Sequence, residues 1–280
     1  MEICENELQQ FIDVVRKKST FDLSGYSEKS LIRRIEKVLL DYTCSFNQLL
    51  DKISQDTFFL ESVIKQITVN TTELFRDTQF WQELRFQVLP SLQDNERLSV
   101  LHVGVSSGQE VYSMLILLYE LGLFEKTRVY ATDINEDMIE VAKYGEYSYR
   151  FYDLYKESFF AVIKDNPYGK SFKHKPFDEY FECDAKKSYM RAADFLRDKP
   201  HFITHDIVSL KNPVHENFDI ILCRNVLIYF KADLQKKVYN MFYNNMKDES
   251  YLALGMQESM GWYMSTIFQK SGRFYKKLGV

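Results

Sequence analysis

The stretch Leu98–Ser113, L-S-V-L-H-V-G-V-S-S-G-Q-E-V-Y-S, constrains this chain more than any other. Val100, Leu101 and Val103 read as a short buried strand, and Gly104 and Gly108 bracket a tight turn. Val111, Met114, Leu115 and Leu118 then recur at helical spacing. A strand that feeds a helix through a glycine turn makes a ligand site. Bare backbone can approach the ligand there, and the helix N-terminus offers free N–H groups. The glycines do not spell G-x-G-x-x-G, so a pyrophosphate dinucleotide is not the first expectation.

From Leu98 onward strand and helix alternate, which predicts an α/β sheet wound mostly in parallel. Strands are expected at Val100–Val103, Val129–Thr132, His201–Thr204, Phe218–Cys223 and Tyr251–Leu254. Helices are expected at about Gln109–Leu121, at Met138–Lys143 and from Ala232 to about Met246. A terminal hairpin is expected around Lys270-Ser271-Gly272-Arg273. Residues 144–200 read as an inserted subdomain, with a helical stretch near Leu154–Lys164 and a loop around Pro167–Pro176. Short strands fit near Tyr180–Glu182 and Ser188–Met190.

Ahead of the sheet, residues 1 to about 66 carry four apolar stripes at helical spacing, ending with Phe58, Phe59, Val63 and Ile64. The expected division is a helical domain and linker at 1–88, then a sheet domain at 89–280. Thr71 and Thr72 precede a helical stripe (Phe80, Trp81, Leu84), where capping is the plain explanation. The stripe around Leu31 also carries Lys29, Arg33, Arg34 and Lys37. They form either a solvated face partly neutralised by Glu36 and Asp41 or a docking face for an acidic partner.

Composition removes several classes. The 280 residues are 45% hydrophobic and 27% charged, as in ordinary soluble proteins. A net charge of −4 argues against a general nucleic-acid binder. No apolar run approaches the ~20 residues of a membrane span, and the acidic start M-E-I-C-E-N-E is unlike a signal peptide. Cys4, Cys44, Cys183 and Cys223 form no C-x-x-C, and the five histidines show no metal-ligand spacing. A cytoplasmic protein without a metal is expected.

Ligands in open α/β sheets bind beyond the C-terminal strand ends. Glu110 follows the first strand, Asp133 ends the second, Asp206 follows the third, and Arg224-Asn225 follows the fourth. Asp133 can accept from vicinal ribose hydroxyls and Asp206 from an adenine amino group. The competing readings are a helix cap for Asp133, a turn residue for Asp206 and a structural ion pair for Arg224-Asn225. Together these residues outline a nucleoside pocket without a phosphate cradle, which points to S-adenosylmethionine more than to NAD.

Phe218–Phe230, F-D-I-I-L-C-R-N-V-L-I-Y-F, with Gln235, Leu254-Gly255 and Glu258-Ser259, is close to the F-D-x-I-x-C-R-N-V-x-I-Y-F of the CheR-type chemotaxis receptor glutamate O-methyltransferases. A-T-D-I at 131–134 and N-x-T-x-x-F-x-R at Asn70, Thr72, Phe75 and Arg76 resemble that family too. G-V-S-S-G-Q-E-V-Y-S at 104–113 is similar to its G-C-S-T-G-E-E-P-Y-S, departing at Val105, Ser107, Gln109 and Val111. The resemblance covers nearly the whole chain. It implies a Rossmann-like class I S-adenosylmethionine-dependent methyltransferase sheet with a small all-helical N-terminal domain and an inserted subdomain. It also implies a chemoreceptor-like substrate, with no nucleic acid and no membrane insertion.

Carried over residue by residue, the cofactor contacts are Glu110, Asp133, Asp206, Arg224 and Asn225, with Thr72 and Arg76 at the junction with substrate. Asn70, Gly104, Ser106 and Ile207 join them from the same motifs. Arg76 and Tyr229 are expected to hold the accepting carboxylate. The family's second helix is basic and faces its receptor, which favours the docking reading of Lys29, Arg33, Arg34 and Lys37. The glycine-rich loop that accompanies receptor-peptide docking in the family's inserted subdomain is lacking here. A member that binds the cofactor but signals without turnover is the alternative, as is methylation of a carboxylate on a non-receptor protein.

Overall fold

The computed structural model describes residues 3–68, 72–164 and 174–279. The chain divides into two compact units, Met1–Val69 with Val208–Leu210 and Leu227–Tyr239, and Asn70–Ile207 with Lys211–Val226 and Asn240–Val280.

The first unit is built on four helices, α1 (Glu5–Lys18), α2 (Glu28–Asp41), α3 (Phe46–Gln55) and α4 (Thr57–Ile67). Their starts follow from capping chemistry. Ser45 and Gln48 close a reciprocal capping box on α3, and the Asp56 carboxylate accepts from the Phe59 N–H of α4. Phe11, Val15, Ile35, Val38, Leu49 and Leu60 meet in the core, so the four apolar stripes are the four helices. Phe58 is the exception at 84% exposed, because Phe59, Leu60, Val63 and Ile64 take the inner face of α4. The segment Leu227–Tyr239 packs here as well. Phe230 lies edge-on to Tyr26 at 4.9 Å, and the Tyr229 carbonyl accepts from the Ser27 N–H.

The second unit opens with α5 (Thr78–Glu83), a π-helical turn at Leu84–Val88 and α6 (Leu89–Ser91). Leu74, Phe75, Phe80, Trp81 and Leu84 are buried in the core beneath the sheet. Residues 72–88, the end of the stretch expected as helical domain and linker, therefore pack with the sheet. Next come β1 (Leu98–Val103), α7 (Gln109–Glu120), β2 (Thr127–Asp133) and α8 (Glu136–Tyr144), followed by β3 (Glu146–Ser148), α9 (Tyr152–Ile163), β4 (Phe181–Asp184), β5 (Tyr189–Ala192) and α10 (Asp194–Arg197). The rest is β6 (His201–Thr204), β7 (Phe218–Cys223), α11 (Ala232–Asn244), β8 (Met246–Leu254), β9 (Phe268–Ser271) and β10 (Phe274–Lys277).

Seven strands form one sheet in the order β6-β2-β1-β7-β8-β10-β9, parallel from β6 to β8 and closed by the antiparallel terminal hairpin. β1 and β7 are buried along their full length, as strands covered on both faces must be. The direction of winding reverses between β1 and β7. That is the switch point at which an open sheet leaves a crevice beyond its strand ends. Gly104 and Arg224-Asn225 stand at that crevice.

The inserted region forms a three-stranded antiparallel sheet, β3-β5-β4, packed on α9 through Phe159, Phe177 and Phe181. Sequence reading found β4, β5 and α9 but missed β3, which is three residues long and follows the Gly145 helix cap at once. This insert supports the glycine turn. The Tyr147 hydroxyl donates to the Ser107 carbonyl at 2.9 Å, and Gln109 Nε2 donates to the Tyr155 hydroxyl at 3.2 Å.

A serine on α7 anchors the segment that runs into α5. Buried Ser113 Oγ accepts the Phe75 N–H at 2.8 Å and donates to the Gln109 carbonyl at 2.9 Å. Phe75 sits at φ 52°, a left-handed conformation that a bulky residue holds only under constraint. Ser113→Ala would strand that N–H in the core. The expected loss is about 1–3 kcal/mol of stability, read as a lower urea midpoint with unchanged m-value.

Candidate functional site

Beyond the β1 and β7 strand ends lies a small cleft lined by Thr72, Glu73, Arg76, Gly104, Glu110, Arg224 and Asn225. Four segments deliver these residues: the approach to α5, the turn after β1, the start of α7 and the end of β7. Gly104 ends β1 at φ +70°, and a Cβ there would stand 2.4 Å from Val226 Cγ2, so only glycine lets the turn lie this close. Gly108 opens α7 at φ +90°, with Ala142 2.8 Å from where its Cβ would be. Asn225 is held at φ 61° by the Glu258 carboxylate, which accepts from the N–H groups of Asn225 at 2.7 Å and Gly255 at 2.6 Å.

Glu110 is fixed at both oxygens. Oε1 pairs with His102 Nδ1 at 3.0 Å, and Oε2 accepts from Arg224 Nη1 at 3.0 Å. Arg224, whose side chain is 2% exposed, also donates through Nη2 to Asp77 at 2.7 Å and to the Arg76 carbonyl at 3.1 Å. Its guanidinium lies 4.0 Å from the Phe80 ring centroid. Burial on its own would raise the Glu110 carboxyl. The His102 hydrogen bond and the Arg224 charge outweigh it and hold the group below its usual range.

Asp133, buried at the end of β2, uses one oxygen for the Ser106 N–H at 2.7 Å and the other for the Asn135 N–H at 2.9 Å. Burial pushes its carboxyl up, against the downward pull of those donors. The helix cap foreseen for Asp133 belongs instead to Asn135, whose side chain accepts from the N–H groups of Asp137 and Met138. The carboxylate of Asp133 shapes the glycine turn and keeps lone pairs for a ligand. His205 N–H donates to the Asp133 carbonyl, which ties the β6 end carrying half-buried Asp206 and buried Ile207 to the same rim.

The cleft thus gathers Thr72, Arg76, Gly104, Glu110, Arg224 and Asn225 from the sequence reading. Asn70 and Thr71 lie outside the described residues. Thr72 caps no helix, since α5 begins six residues later behind Asp77; it lines the cleft instead. Arg76 pairs with no carboxylate among the described residues. Tyr229 is half-exposed in the short helical turn Leu227–Tyr229 of the helical unit. On α2 of that unit, Lys29 and Arg33 are exposed, Arg34 is half-buried, and Lys37 pairs with Asp41 at 2.9 Å.

Sequence reading missed Glu73, Asp77 and His102. One signal was available for His102, because an imidazole inside an otherwise apolar buried strand requires a partner. Asp77 carried none, as only the fold brings it to Arg224. The departure at Gln109 also has a physical basis. The side chain is buried between Ser107 and Tyr155, its amide oxygen accepting from the Ser107 hydroxyl and its Nε2 donating to the Tyr155 hydroxyl.

Residues 70–275 match the family model described as the CheR methyltransferase, SAM binding domain, and residues 6–68 match the CheR methyltransferase, all-alpha domain. This chain belongs to the CheR methyltransferase family. The methyltransferase Cher3 of Pseudomonas putida is 32% identical over 91% of this chain and 89% of its own length. A chemotaxis protein methyltransferase of Listeria innocua is 26% identical over 91% of both. Another, from Vibrio parahaemolyticus, is 30% identical over 71% of this chain and 68% of its own.

As a CheR-family methyltransferase, the protein uses S-adenosylmethionine, and the cleft suits it. The glycine turn leaves room for close backbone approach, the buried Ser106 hydroxyl lacks a partner, and Glu110 offers an ionised acceptor to a cationic ligand. Among the described residues, no three metal-type side chains come together and no helix is long and apolar enough to cross a membrane.

A depressed carboxyl stabilises the fold at pH values above its ordinary value, near 4.5 for Glu110, and the contribution fades as pH falls through the folded value. The stability gap between wild type and Glu110→Gln should therefore be full above pH 4.5 and narrow below it. Urea titrations between pH 3 and 6 measure this.

Proposed function

We propose that this CheR-family enzyme methyl-esterifies glutamate side chains of a chemoreceptor-like protein. The observation that carries the reading is Arg76, a guanidinium lining the cofactor cleft that pairs with no carboxylate among the described residues. An incoming glutamate would supply one. The names of the chemotaxis relatives support the receptor as its source.

Within the cleft, Glu110 is assigned to the cofactor's α-ammonium, Asp133 to its ribose hydroxyls and Asp206 to its adenine amino group. Thr72, Gly104, Ser106, Ile207 and Asn225 complete the contacts, Asn70 joins them by its motif, and Arg224 holds Glu110 in place. Bound S-adenosylmethionine supplies a methyl carbon on cationic sulfur, which passes to a glutamate oxygen as the C–S bond breaks and its electron pair stays on sulfur. A glutamate, with a reference pKa near ~4.3, already carries its nucleophilic electron pair at neutral pH. The protein needs no general base. Its task is to orient the carboxylate and exclude water.

Arg76 would hold that carboxylate by charge-assisted hydrogen bonds. The hydroxyl of Tyr229 is assigned the second oxygen on the strength of the R-N-V-x-I-Y-F motif that contains it. Lys29, Arg33, Lys37 and Leu40 share one face of α2, and Leu40 is 78% exposed. With neighbouring Arg34, that mixed basic and apolar face would dock an acidic amphipathic helix of the receptor. A cytoplasmic location follows from such a substrate.

Arg76→Ala should lower kcat/KM for methyl transfer by at least about 100-fold, and Tyr229→Phe by about 10-fold. Both should retain S-adenosylhomocysteine affinity within about 3-fold, a change of under ~1 kcal/mol. Lys29→Glu with Arg33→Glu should raise the receptor KM without changing kcat. The assay is transfer of radiolabelled methyl into a receptor cytoplasmic fragment, with base-labile release identifying the ester. Label that resists base would refute glutamate as the acceptor.

A further inference from the structure

His102 is the one wholly buried imidazole among the described residues, and it contacts Glu110 of the cleft. It sits on β1, two residues before Gly104, at 0% exposure. Its Nδ1 lies 3.0 Å from Glu110 Oε1, while its Nε2 is buried without a hydrogen-bond partner. An ionised Glu110 can only accept, so Nδ1 carries a proton and donates to Oε1. Its backbone is held as well, since the His102 carbonyl accepts from Thr132 Oγ1 at 3.0 Å and its strand lies between β2 and β7.

The other groups around this carboxylate account for its charge but not for its orientation. Arg224 reaches Oε2 alone and divides its donors with Asp77 and the Arg76 carbonyl. A carboxylate held at one oxygen can still turn about its Cγ–Cδ bond. A second anchor on Oε1 stops that rotation and aims the remaining lone pairs. The anchor is a single imidazole N–H directed at one carboxylate oxygen.

We propose that His102 is a positioning residue for the cofactor, locking Glu110 in the orientation that receives the cationic amino end of S-adenosylmethionine. This rests on the assignment of Glu110 to that amino group. It follows that His102 discriminates among adenosyl ligands. It should matter for those with an amino-acid end and be silent for those without one.

The test is calorimetric titration of S-adenosylhomocysteine and of 5′-methylthioadenosine, which lacks the amino-acid end, into full-length variants. His102→Leu should weaken S-adenosylhomocysteine by about 10-fold or more and leave 5′-methylthioadenosine unchanged. His102→Asn, whose amide nitrogen can occupy the place of Nδ1, should restore affinity to within about 3-fold of wild type. In a Glu110→Gln background, His102→Leu should cost nothing further.

Equal weakening of both ligands, or a full additional loss in the Glu110→Gln background, would overturn the proposal by showing a general structural role. Should His102→Leu not fold, His102→Ser against His102→Asn makes the same comparison. Glu110→Gln binding S-adenosylhomocysteine like wild type would refute the assignment of Glu110 and the proposal with it. Weakened Glu110→Gln beside an unaffected His102→Leu would refute the role of His102 alone.

Discussion

A guanidinium taken out of water at the end of a buried strand must find opposing charge, and the arrangement of this site follows from where Arg224 finds it. One carboxylate, Asp77, comes from the segment ahead of the sheet, and the other, Glu110, from the first turn of α7. Removing one partner of such a buried cluster typically costs ~3–5 kcal/mol. A single side chain therefore ties β7, the glycine turn and the approach to α5 into one rim. Phe80 covers the outer face of the guanidinium and keeps the contact dry.

The same rim stores local strain. Phe75, Asp77, Ser106 and Asn225 all have positive φ without being glycine, and each lies in or beside the cleft. Each is held by a specific donor or acceptor: Ser113 for Phe75, Arg224 for Asp77, Asp133 for Ser106 and Glu258 for Asn225. Backbone kept in costly conformations by several such contacts is preorganised backbone. The cleft is shaped before a ligand arrives.

Much of this was legible in the sequence because local patterns specify it. β6 and β7 span the residues expected of them, His201–Thr204 and Phe218–Cys223, and the four helical stripes became four helices. The strand-end residues Gly104, Glu110, Arg224 and Asn225 converge because any open parallel sheet gathers its strand ends at the switch point. Position alone could reveal them. What stayed hidden depends on contacts between distant segments. Nothing local marks Asp77 as the partner of a residue 147 positions away, nor shows that Phe75 hangs from a serine on α7. β3 is too short to show alternation, and the placement of residues 72–88 with the sheet is decided by packing of Phe75, Phe80 and Trp81, not by periodicity.

The central claim is that the carboxylate rim around Arg224 holds a cationic adenosyl ligand beside Arg76. A crystal structure with S-adenosylhomocysteine bound tests it most directly. The account predicts the ligand's ammonium within hydrogen-bond distance of Glu110, with the contacts to His102 and Arg224 intact, and its ribose hydroxyls on Asp133. A ligand seated outside the rim, or a Glu110 side chain turned away from it, would contradict the account.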